Sequence, residues 1–181
     1  MSSINLAKTK RAVLSVMAKE WAVQPGQEHP SMDMMKLAGS SKSLEVTARA
    51  YQALFRSAKL SKVNQIAGVS PAGETFGSIL AYLEKKPILL IAETGSPPHR
   101  RPVGRFRPGD SVLLVDGVYD PEALKNTASV IVAGGGVVKN ALALISNSKT
   151  KTVRSNGITV HTLLSAAEIT RHSETRKIRK A

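Results

Sequence analysis

Short apolar runs alternate with segments of helical length in the middle of this chain, and this alternation restricts the possible folds most strongly. The runs lie in NQIAGVSPAG, PILLIAET and DSVLLVDGV, and ETFGSILAYLEKK between the first two has the length of a helix. Glycine and proline close the runs. Apolar strands separated by helices are typical of parallel sheets that are covered on both faces. The sequence therefore predicts an α/β fold with a central, mainly parallel sheet flanked by helices.

Two further helices are predicted before this region. Apolar residues recur at helical spacing over 6–23, with Lys and Arg between them, which indicates a basic amphipathic helix. The segment VQPGQEHP then breaks the helix. A second helix is predicted over 43–60. Ser43 is its expected N-cap, because a serine oxygen accepts a hydrogen bond from a free N–H of the first turn.

The second half of the chain continues the pattern. We predict a helix over 122–133, the strand VVKNALALIS, a short strand, and a short helix that Ser165 caps. A basic tail follows. The predicted organisation is a basic N-terminal helix and linker over 1–28, an α/β domain over 29–169 and a basic C-terminal tail over 170–181.

The chain is strongly basic. It has 26 Lys and Arg against 13 Asp and Glu, which gives a net charge of +13. A field of this sign favours polyanions, because each cation placed near a phosphate releases condensed counterions. RNA is therefore the predicted partner. A basic surface without a dedicated partner is the alternative.

Composition also excludes several classes of site. The chain has no Cys, which excludes disulfides and thiolate metal sites and is compatible with a reducing cytosol. Its four His lie far apart in sequence, so no bound metal is predicted. No apolar run approaches the roughly 20 residues that cross a bilayer, and Lys and Glu interrupt the N-terminal stretch. We expect a cytoplasmic protein without membrane contact.

The predicted elements, taken in order, resemble orotate phosphoribosyltransferase. The matching segments are IAGVSPAGETFGSILAYLEKKPILLIAETG, FRPGDSVLLVDGVYDPEAL, AGGGVVKNALALI and GITVHTLLSAAEI, within 29–169. The resemblance implies a type I phosphoribosyltransferase-like domain. In that family, a strand that ends in two acids leads into a Thr/Gly-rich loop at a helix N-terminus. This loop holds the 5-phosphate of phosphoribosyl pyrophosphate.

The corresponding segment departs from the family at both features. Asp116 matches the first acid, but Gly117 replaces the second. Pro121 removes an N–H donor, and Asp120 and Glu122 place negative charge where phosphate would bind. Like charges about 4 Å apart cost roughly 1–4 kcal/mol at surface-like dielectric, so this loop is expected to repel phosphate. A carboxylate metal site is disfavoured, since acids are common at the start of a helix.

A second match is the family's mobile loop that closes over pyrophosphate. The resemblance places it at 93–105, where His99, Arg100 and Arg101 are present but the family's Lys is missing. Arginine binds phosphate oxygens bidentately, so this loop alone does not exclude catalysis.

The third match is the family's pyrophosphate-binding loop, which corresponds to AGVSPAG. Gly68, Ser70 and Gly73 are its possible anion-binding residues. Any turn from a strand to a helix favours glycine as well, so both interpretations stay open.

Basic residues outside these motifs are the predicted RNA contacts. They lie in the N-terminal helix, the Arg-rich loop and the C-terminal tail: Lys8, Lys10, Arg11, Arg100, Arg101, Arg105, Arg107, Arg171, Arg176, Lys177, Arg179 and Lys180. The chain has no aromatic RNA-recognition signature, zinc finger or helix-turn-helix spacing, so contacts to phosphates and to RNA shape are expected.

The leading prediction is a non-catalytic orotate phosphoribosyltransferase-like protein without a cofactor. It is expected to bind rRNA as a structural component of a ribonucleoprotein, and the ribosome is the favoured particle. The alternative is an active phosphoribosyltransferase for orotate or a related base, in pyrimidine nucleotide synthesis. In that case Asp116 would hold the ribose, His99, Arg100 and Arg101 would act on pyrophosphate, and Mg²⁺ and phosphoribosyl pyrophosphate would be required. A third hypothesis is a regulator that binds a nucleotide without turnover. The oligomeric state stays open.

Overall fold

The computed structural model of the protein describes residues 5–20, 33–94, 99–147 and 151–178. The helices are α1 (Leu6–Glu20), a short 3-10 helix (Met34–Ala38), α2 (Ser41–Ser57), α3 (Pro71–Leu83), α4 (Pro121–Ala133) and α5 (Ala166–Ile178). The strands are β1 (Gln65–Gly68), β2 (Ile88–Thr94), β3 (His99–Val103), β4 (Ser111–Val118), β5 (Val137–Ser146), β6 (Thr152–Ser155) and β7 (Ile158–Ser165).

The seven strands form one mixed sheet in the order β3-β2-β1-β4-β5-β7-β6. The five central strands run parallel to one another, while β3 and β6 pair antiparallel at the two edges. The prediction of a mainly parallel sheet flanked by helices is confirmed. Parallel strands place all their carboxyl ends at one edge of the sheet, which is where ligands bind in folds of this class.

The core lies on both faces of the sheet, and β4 shows how it is divided. Leu113 and Val115 pack into a cluster with α1, α2 and α3, whereas Val112 and Leu114 pack into a second cluster with α4. All four side chains are buried. Because successive side chains of a strand point to opposite faces, a strand that is apolar at every position must be covered on both sides.

Helices α3 and α4 begin in the same way, directly after β1 and β4. Each has a polar N-cap followed by proline: Ser70 and Pro71 for α3, Asp120 and Pro121 for α4. Proline suits the first helical position because its fixed φ is helical and the missing N–H has no partner there in any case. The polar caps supply acceptors for the first free N–H groups. These two helix starts therefore stand beside the carboxyl ends of their strands.

Two local predictions are wrong. The N-cap of α2 is Ser40, whose side chain accepts a hydrogen bond from Ser43 N at 3.2 Å, so Ser43 lies inside the first turn. The Arg-rich loop that was predicted over 93–105 is not a loop throughout. Residues 99–103 form β3, which pairs with β2 from Leu90 opposite Val103 to Thr94 opposite His99. Pro102 is compatible with this strand because β3 lies at the sheet edge.

The two ends of the described chain pack together. Helix α1 contributes Val13 and Met17 to the core, and its Lys10 Nζ forms an ion pair with Glu168 of α5. The expected Ser165 cap of α5 is confirmed, since Glu168 N donates to Ser165 Oγ and Ser165 N donates to Glu168 Oε2. Helix α5 continues through 178 and includes the first part of the basic tail. None of the described helices is both long and apolar enough to cross a bilayer.

Candidate active site at the carboxyl end of the sheet

A cavity of about 690 Å³ opens at the carboxyl end of β4 and is called the β4 pocket here. Its lining comes from the 3-10 helix, the start of α3, the end of β4, the start of α4 and the end of β5: Asp33, Met34, Met35, Ser70, Pro71, Ala72, Asp116, Gly117, Val118, Tyr119, Asp120, Pro121, Ala123 and Asn147. The sequence predictions had placed Asp116 and Ser70 at two separate motifs. The structure brings them together in this pocket.

Asp116 is the central polar group of the β4 pocket. Its Oδ1 accepts a hydrogen bond from Ser70 Oγ at 2.5 Å and another from Gly117 N at 2.7 Å. The residue is only 4% exposed. Among the hydrogen bonds of the described residues, none uses Oδ2. One oxygen of the carboxylate is therefore fixed by the protein, and the other is left for a ligand.

The electrostatics of the β4 pocket are acidic. Burial raises the pKa of Asp116, the hydrogen bonds from Ser70 and Gly117 lower it, and the charge of Asp120 raises it again. The described lining contains Asp33, Asp116 and Asp120, and no Lys or Arg. In the part of the chain that is described, no three His, Cys, Asp or Glu side chains group closely enough to enclose a metal ion. The pocket therefore favours neutral or cationic groups, or an anion that arrives with its own cation.

Asp120 occupies the start of α4 with its own carboxylate. Its Oδ1 accepts hydrogen bonds from Glu122 N at 2.9 Å and Ala123 N at 3.1 Å, and its carbonyl accepts from Leu124 N at 3.0 Å. Pro121 has no N–H to offer. The first-turn donors that could bind a phosphate are therefore already satisfied within the chain, which gives the acidic loop of the sequence a structural role as a helix cap.

Packing explains why residue 117 is not an acid. A Cβ atom at Gly117 would lie 2.8 Å from Met34 Cγ and 3.2 Å from Ala72 Cβ. Met34 is itself buried in the core. The 3-10 helix therefore fills the space that a side chain at position 117 would need, and Asp116 stands as the single acid at the end of β4.

The predicted anion loop is a tight junction between β1 and α3. A Cβ at Gly68 would lie 2.3 Å from Glu74 N, and one at Gly73 would lie 2.2 Å from Val115 O, so only glycine fits at either position. Ser70 Oγ accepts from Gly73 N at 3.1 Å, and Ser70 O accepts from Glu74 N at 2.7 Å. The glycines serve close packing, and the N–H groups of Gly73 and Glu74 are engaged by Ser70.

The other predicted catalytic residues lie on β3. Arg100 and Arg101 are exposed and pair with Glu93 and Ala92 of β2. The side chain of His99 lies outside the described part of the structure. Strands β1 and β2 separate β3 from β4, which corresponds to roughly 14 Å at the usual strand spacing. These arginines therefore share an edge of the sheet with Asp116 without lining its pocket.

The basic side chains that the structure describes, among those predicted to bind RNA, do not lie on one surface. Lys8 and Arg11 are exposed on α1, but Lys10 is paired with Glu168. Arg105 and Arg107 lie in the loop before β4, at the opposite edge of the sheet from Arg100 and Arg101. Arg171 is exposed on α5. For Arg176 and Lys177 only the backbone is described, and Arg179 and Lys180 lie outside the described residues.

Local sequence patterns do not mark several residues that line the pocket or contact Asp116 from below it. Met34, Met35 and Asn147 line the cavity, although nothing in their local sequence marks them as functional. Tyr51, on α2, donates a hydrogen bond from its hydroxyl to Asp116 O at 2.5 Å. A pattern-based analysis cannot detect a contact that spans so much of the sequence. Only the Asp33 cap, which accepts from Met35 N at 3.0 Å, has a recognisable local signal.

Solved structures resemble this chain closely in fold. Orotate phosphoribosyltransferase from Aeropyrum pernix has a TM-score of 0.73 at 20% identity, with 88% of this chain and 96% of that chain covered. Adenine phosphoribosyltransferase from Saccharomyces cerevisiae, in complex with an imino-altritol bisphosphate and adenine, has a TM-score of 0.63 at 14% identity, with 85% and 99% covered. No family profile and no curated protein sequence matches the chain.

UMP synthase from Leishmania donovani is a further similar structure, with a TM-score of 0.68 at 15% identity. The alignment covers 94% of this chain but 38% of that protein. All three proteins are metabolic enzymes rather than components of a ribonucleoprotein. The prediction of a non-catalytic, RNA-binding ribosomal protein is therefore wrong. It was based on the acidic, Pro-bearing segment at 120–122 together with the net charge of +13, and a net charge bears on non-specific binding rather than on a dedicated partner.

Proposed function

Because this chain has the type I phosphoribosyltransferase fold, we propose that it is an active cytoplasmic phosphoribosyltransferase with a remodelled site. It transfers ribose 5-phosphate from phosphoribosyl pyrophosphate to orotate or a related base. The observation that carries the proposal is the buried carboxylate of Asp116 in the β4 pocket, with one oxygen fixed and one available. Orotate is favoured as the base because the orotate enzyme and UMP synthase superpose with higher TM-scores than the adenine enzyme.

The role proposed for Asp116 is to hold the ribose. A carboxylate accepts hydrogen bonds and donates none while ionised, so its available oxygen suits the hydroxyl groups of a sugar. Fixing the other oxygen through Ser70 and Gly117 orients the carboxylate before the ligand arrives. Such preorganisation lowers the barrier to transfer because the groups need not reorient during the reaction.

Mg²⁺ fits the acidic character of the pocket. This ion binds one or two protein carboxylates and completes its shell with water and substrate phosphates, so it needs no closed cage of protein ligands. Asp116 and Asp120 line the pocket and are close enough for the charge of Asp120 to affect the pKa of Asp116. When bound, the ion would neutralise charge on the pyrophosphate. Without the ion, the three acids of the described lining would repel the negatively charged phosphoribosyl pyrophosphate, because that lining includes no Lys or Arg.

The arginines of β3 are proposed to act on the leaving group. Arg100 and Arg101 supply positive charge at the same sheet edge as the β4 pocket. A guanidinium binds phosphate oxygens through two parallel N–H groups. These residues would therefore stabilise the departing pyrophosphate, while the ribose stays at the β4 pocket.

A second candidate function is a regulator that binds a nucleotide without turnover. The specific observation in its favour is Asp120, which satisfies the N–H groups of Glu122 and Ala123 with its own carboxylate. A phosphate would have to displace this carboxylate to bind at the start of α4. Tight nucleotide binding without pyrophosphate release distinguishes this function from transfer.

The test is a pyrophosphate-release assay with phosphoribosyl pyrophosphate, Mg²⁺ and a panel of orotate, uracil, adenine and hypoxanthine. We expect release with orotate or another pyrimidine, formation of the matching nucleotide by chromatography, and loss of both on chelation of Mg²⁺. Asp116→Asn should abolish release. Asp110→Asn is the matched control, because Asp110 directly precedes the opposite end of the same strand. Absence of release and of donor binding with every base would overturn the proposal.

A further inference from the structure

Tyr51 lies beneath the β4 pocket and reaches its floor from α2. The side chain is completely buried, and its ring stacks on Phe76 of α3 with centroids 5.6 Å apart and planes at 24°. Its hydroxyl donates to Asp116 O at 2.5 Å. The ring is thus held by packing, and the hydroxyl meets the backbone of the residue that carries the site.

One peptide plane connects this hydroxyl to the carboxylate of Asp116. Tyr51 bonds the C=O of the peptide between Asp116 and Gly117, and the N–H of that same peptide donates to Asp116 Oδ1 at 2.7 Å. Because a peptide is planar, fixing the C=O also fixes the direction of the N–H. A hydrogen bond to the C=O also polarises the peptide and strengthens its N–H as a donor.

We propose that Tyr51 is a positioning residue for Asp116, acting through the peptide plane between Asp116 and Gly117. Ser70, the N-cap of α3, donates from its Oγ to the same carboxylate oxygen. Together the two hydroxyls leave Asp116 Oδ2 as the oxygen that meets a ligand. Tyr51 does not line the β4 pocket, so its effect on a ligand is transmitted through Asp116.

The protonation state of Tyr51 suits this role. Burial raises the pKa of the phenol well above its ordinary value, and the charge of Asp116 raises it further. The hydroxyl therefore remains protonated and able to donate at neutral pH.

The test compares Tyr51→Phe with two matched controls. Tyr82→Phe removes the same atom from a side chain that is 83% exposed at the end of α3. Phe55→Leu disturbs the buried face of α2 without removing a hydrogen bond to Asp116. The readouts are a carboxyl ¹³C NMR titration of Asp116 in the ligand-free protein, the thermal midpoint, and donor kinetics.

Tyr51→Phe should raise the titration midpoint of Asp116, because a loosened Gly117 N–H stabilises the carboxylate less. It should also raise donor KM about three- to tenfold, the loss expected for one hydrogen bond. The value of kcat should stay within about twofold of wild type, because binding of the ribose is weakened equally in the ground state and the transition state. Both controls should keep the wild-type titration midpoint of Asp116 and the wild-type donor KM. Phe55→Leu should lower the thermal midpoint of unfolding.

Identical titrations for Tyr51→Phe and Tyr82→Phe would overturn the inference, as would a Phe55→Leu variant that reproduces the shift. The kinetic readout rests on the proposed function, but the titration does not. An inactive wild-type protein in which Tyr51→Phe still shifts the Asp116 midpoint would therefore reject the proposed function and retain the positioning role.

Discussion

Ser70 Oγ donates a hydrogen bond to Asp116 Oδ1 at 2.5 Å and accepts one from Gly73 N at 3.1 Å. One hydroxyl therefore caps α3 and orients the acid at the end of β4. The stability of the helix start and the geometry of the candidate site depend on the same side chain. A change at Ser70 must affect both properties.

Ser70→Ala should lower stability and raise the pKa of Asp116. Loss of an N-cap costs about 0.5–2 kcal/mol, and the Ser70 bond is one of the two interactions that lower the pKa of Asp116 against the effect of burial. Urea unfolding and carboxyl NMR titration measure the two effects. Ser78→Ala is the control, because Ser78 lies exposed on the same helix and bonds only Glu74 O. An unchanged Asp116 titration in Ser70→Ala would contradict the prediction.

Asp116→Asn should remove activity and stabilise the fold at neutral pH. Burial is the main cause of the raised pKa of Asp116, so the folded state disfavours the ionised carboxyl. Stability is therefore lost as the pH rises through the raised pKa and recovered as it falls back through it. Asparagine keeps an oxygen for Ser70 and Gly117 without the charge. The free energy of unfolding should rise by about 1 kcal/mol, a common size for a single stabilising substitution.

The measurement is the thermal midpoint of Asp116→Asn and wild type as a function of pH. At pH 7 the variant should unfold a few degrees higher, since about 1 kcal/mol corresponds to roughly 2–4 °C in a chain of this length. The difference should shrink on acidification as the wild-type carboxyl takes up its proton. A difference that stays constant with pH would show that charge is not its cause.

Gly117→Ala should destabilise the fold by about 1–3 kcal/mol, the usual cost of overpacking. The added Cβ would lie 2.8 Å from Met34 Cγ, in a region where Met34 is buried. In the double variant with Met34→Ala the cost should be smaller than the sum of the two single costs by at least about 1 kcal/mol, because the two side chains compete for one space. Urea unfolding of all three variants tests this coupling.

Gly77→Ala is the matched control for that experiment. A Cβ at Gly77 would lie 3.5 Å from its nearest neighbour, Val115 Cβ, which is an ordinary contact. Gly77 also lies inside α3, where alanine favours the helix by about 1 kcal/mol over glycine. We expect this variant to be as stable as wild type or more so. An equal loss at both glycines would mean that Met34 is not responsible for the effect at Gly117.

The sequence was sufficient for the parallel strands at the centre of the sheet, but it began the two helices beside the site at Glu74 and Glu122, later than the structure does. Apolar runs identify β1, β2 and β4 because each strand is covered on both faces, and the pairs Ser70-Pro71 and Asp120-Pro121 are local signals of a helix start. Strand β3 was missed because its residues form a strand only through pairing with β2. Local composition does not contain that information.

The site was predicted less completely than the fold. Asp116 was identified through the position of its strand in the resembled family, but Tyr51 and Met34 act through contacts between distant parts of the chain. The basic residues misled the functional prediction for a related reason. Counting charges does not reveal that Lys10 is engaged by Glu168, or that Arg100 and Arg101 lie at the opposite edge of the sheet from Arg105 and Arg107.

Lys10→Met should reduce stability at neutral pH and have little effect in acid. Burial raises the pKa of Glu168, but the hydrogen bonds from Lys10 and Ser165 and the charge of Lys10 outweigh burial and lower it. A carboxyl with a lowered pKa contributes stability that is present above the ordinary value of about 4.3 and is lost as the pH falls through the lowered pKa. The Glu168 side chain is 35% exposed, so solvent screens the pair and the effect is modest.

Thermal midpoints from pH 7 to pH 3 test this prediction. The gap between wild type and Lys10→Met should be widest at neutral pH and should close as Glu168 is protonated. Lys8→Met is the control, because Lys8 is exposed on the same helix, so its removal changes net charge equally. If Lys8→Met produced the same gap, general charge rather than the pair with Glu168 would be responsible. A gap specific to Lys10 would establish that this ion pair holds α1 against α5.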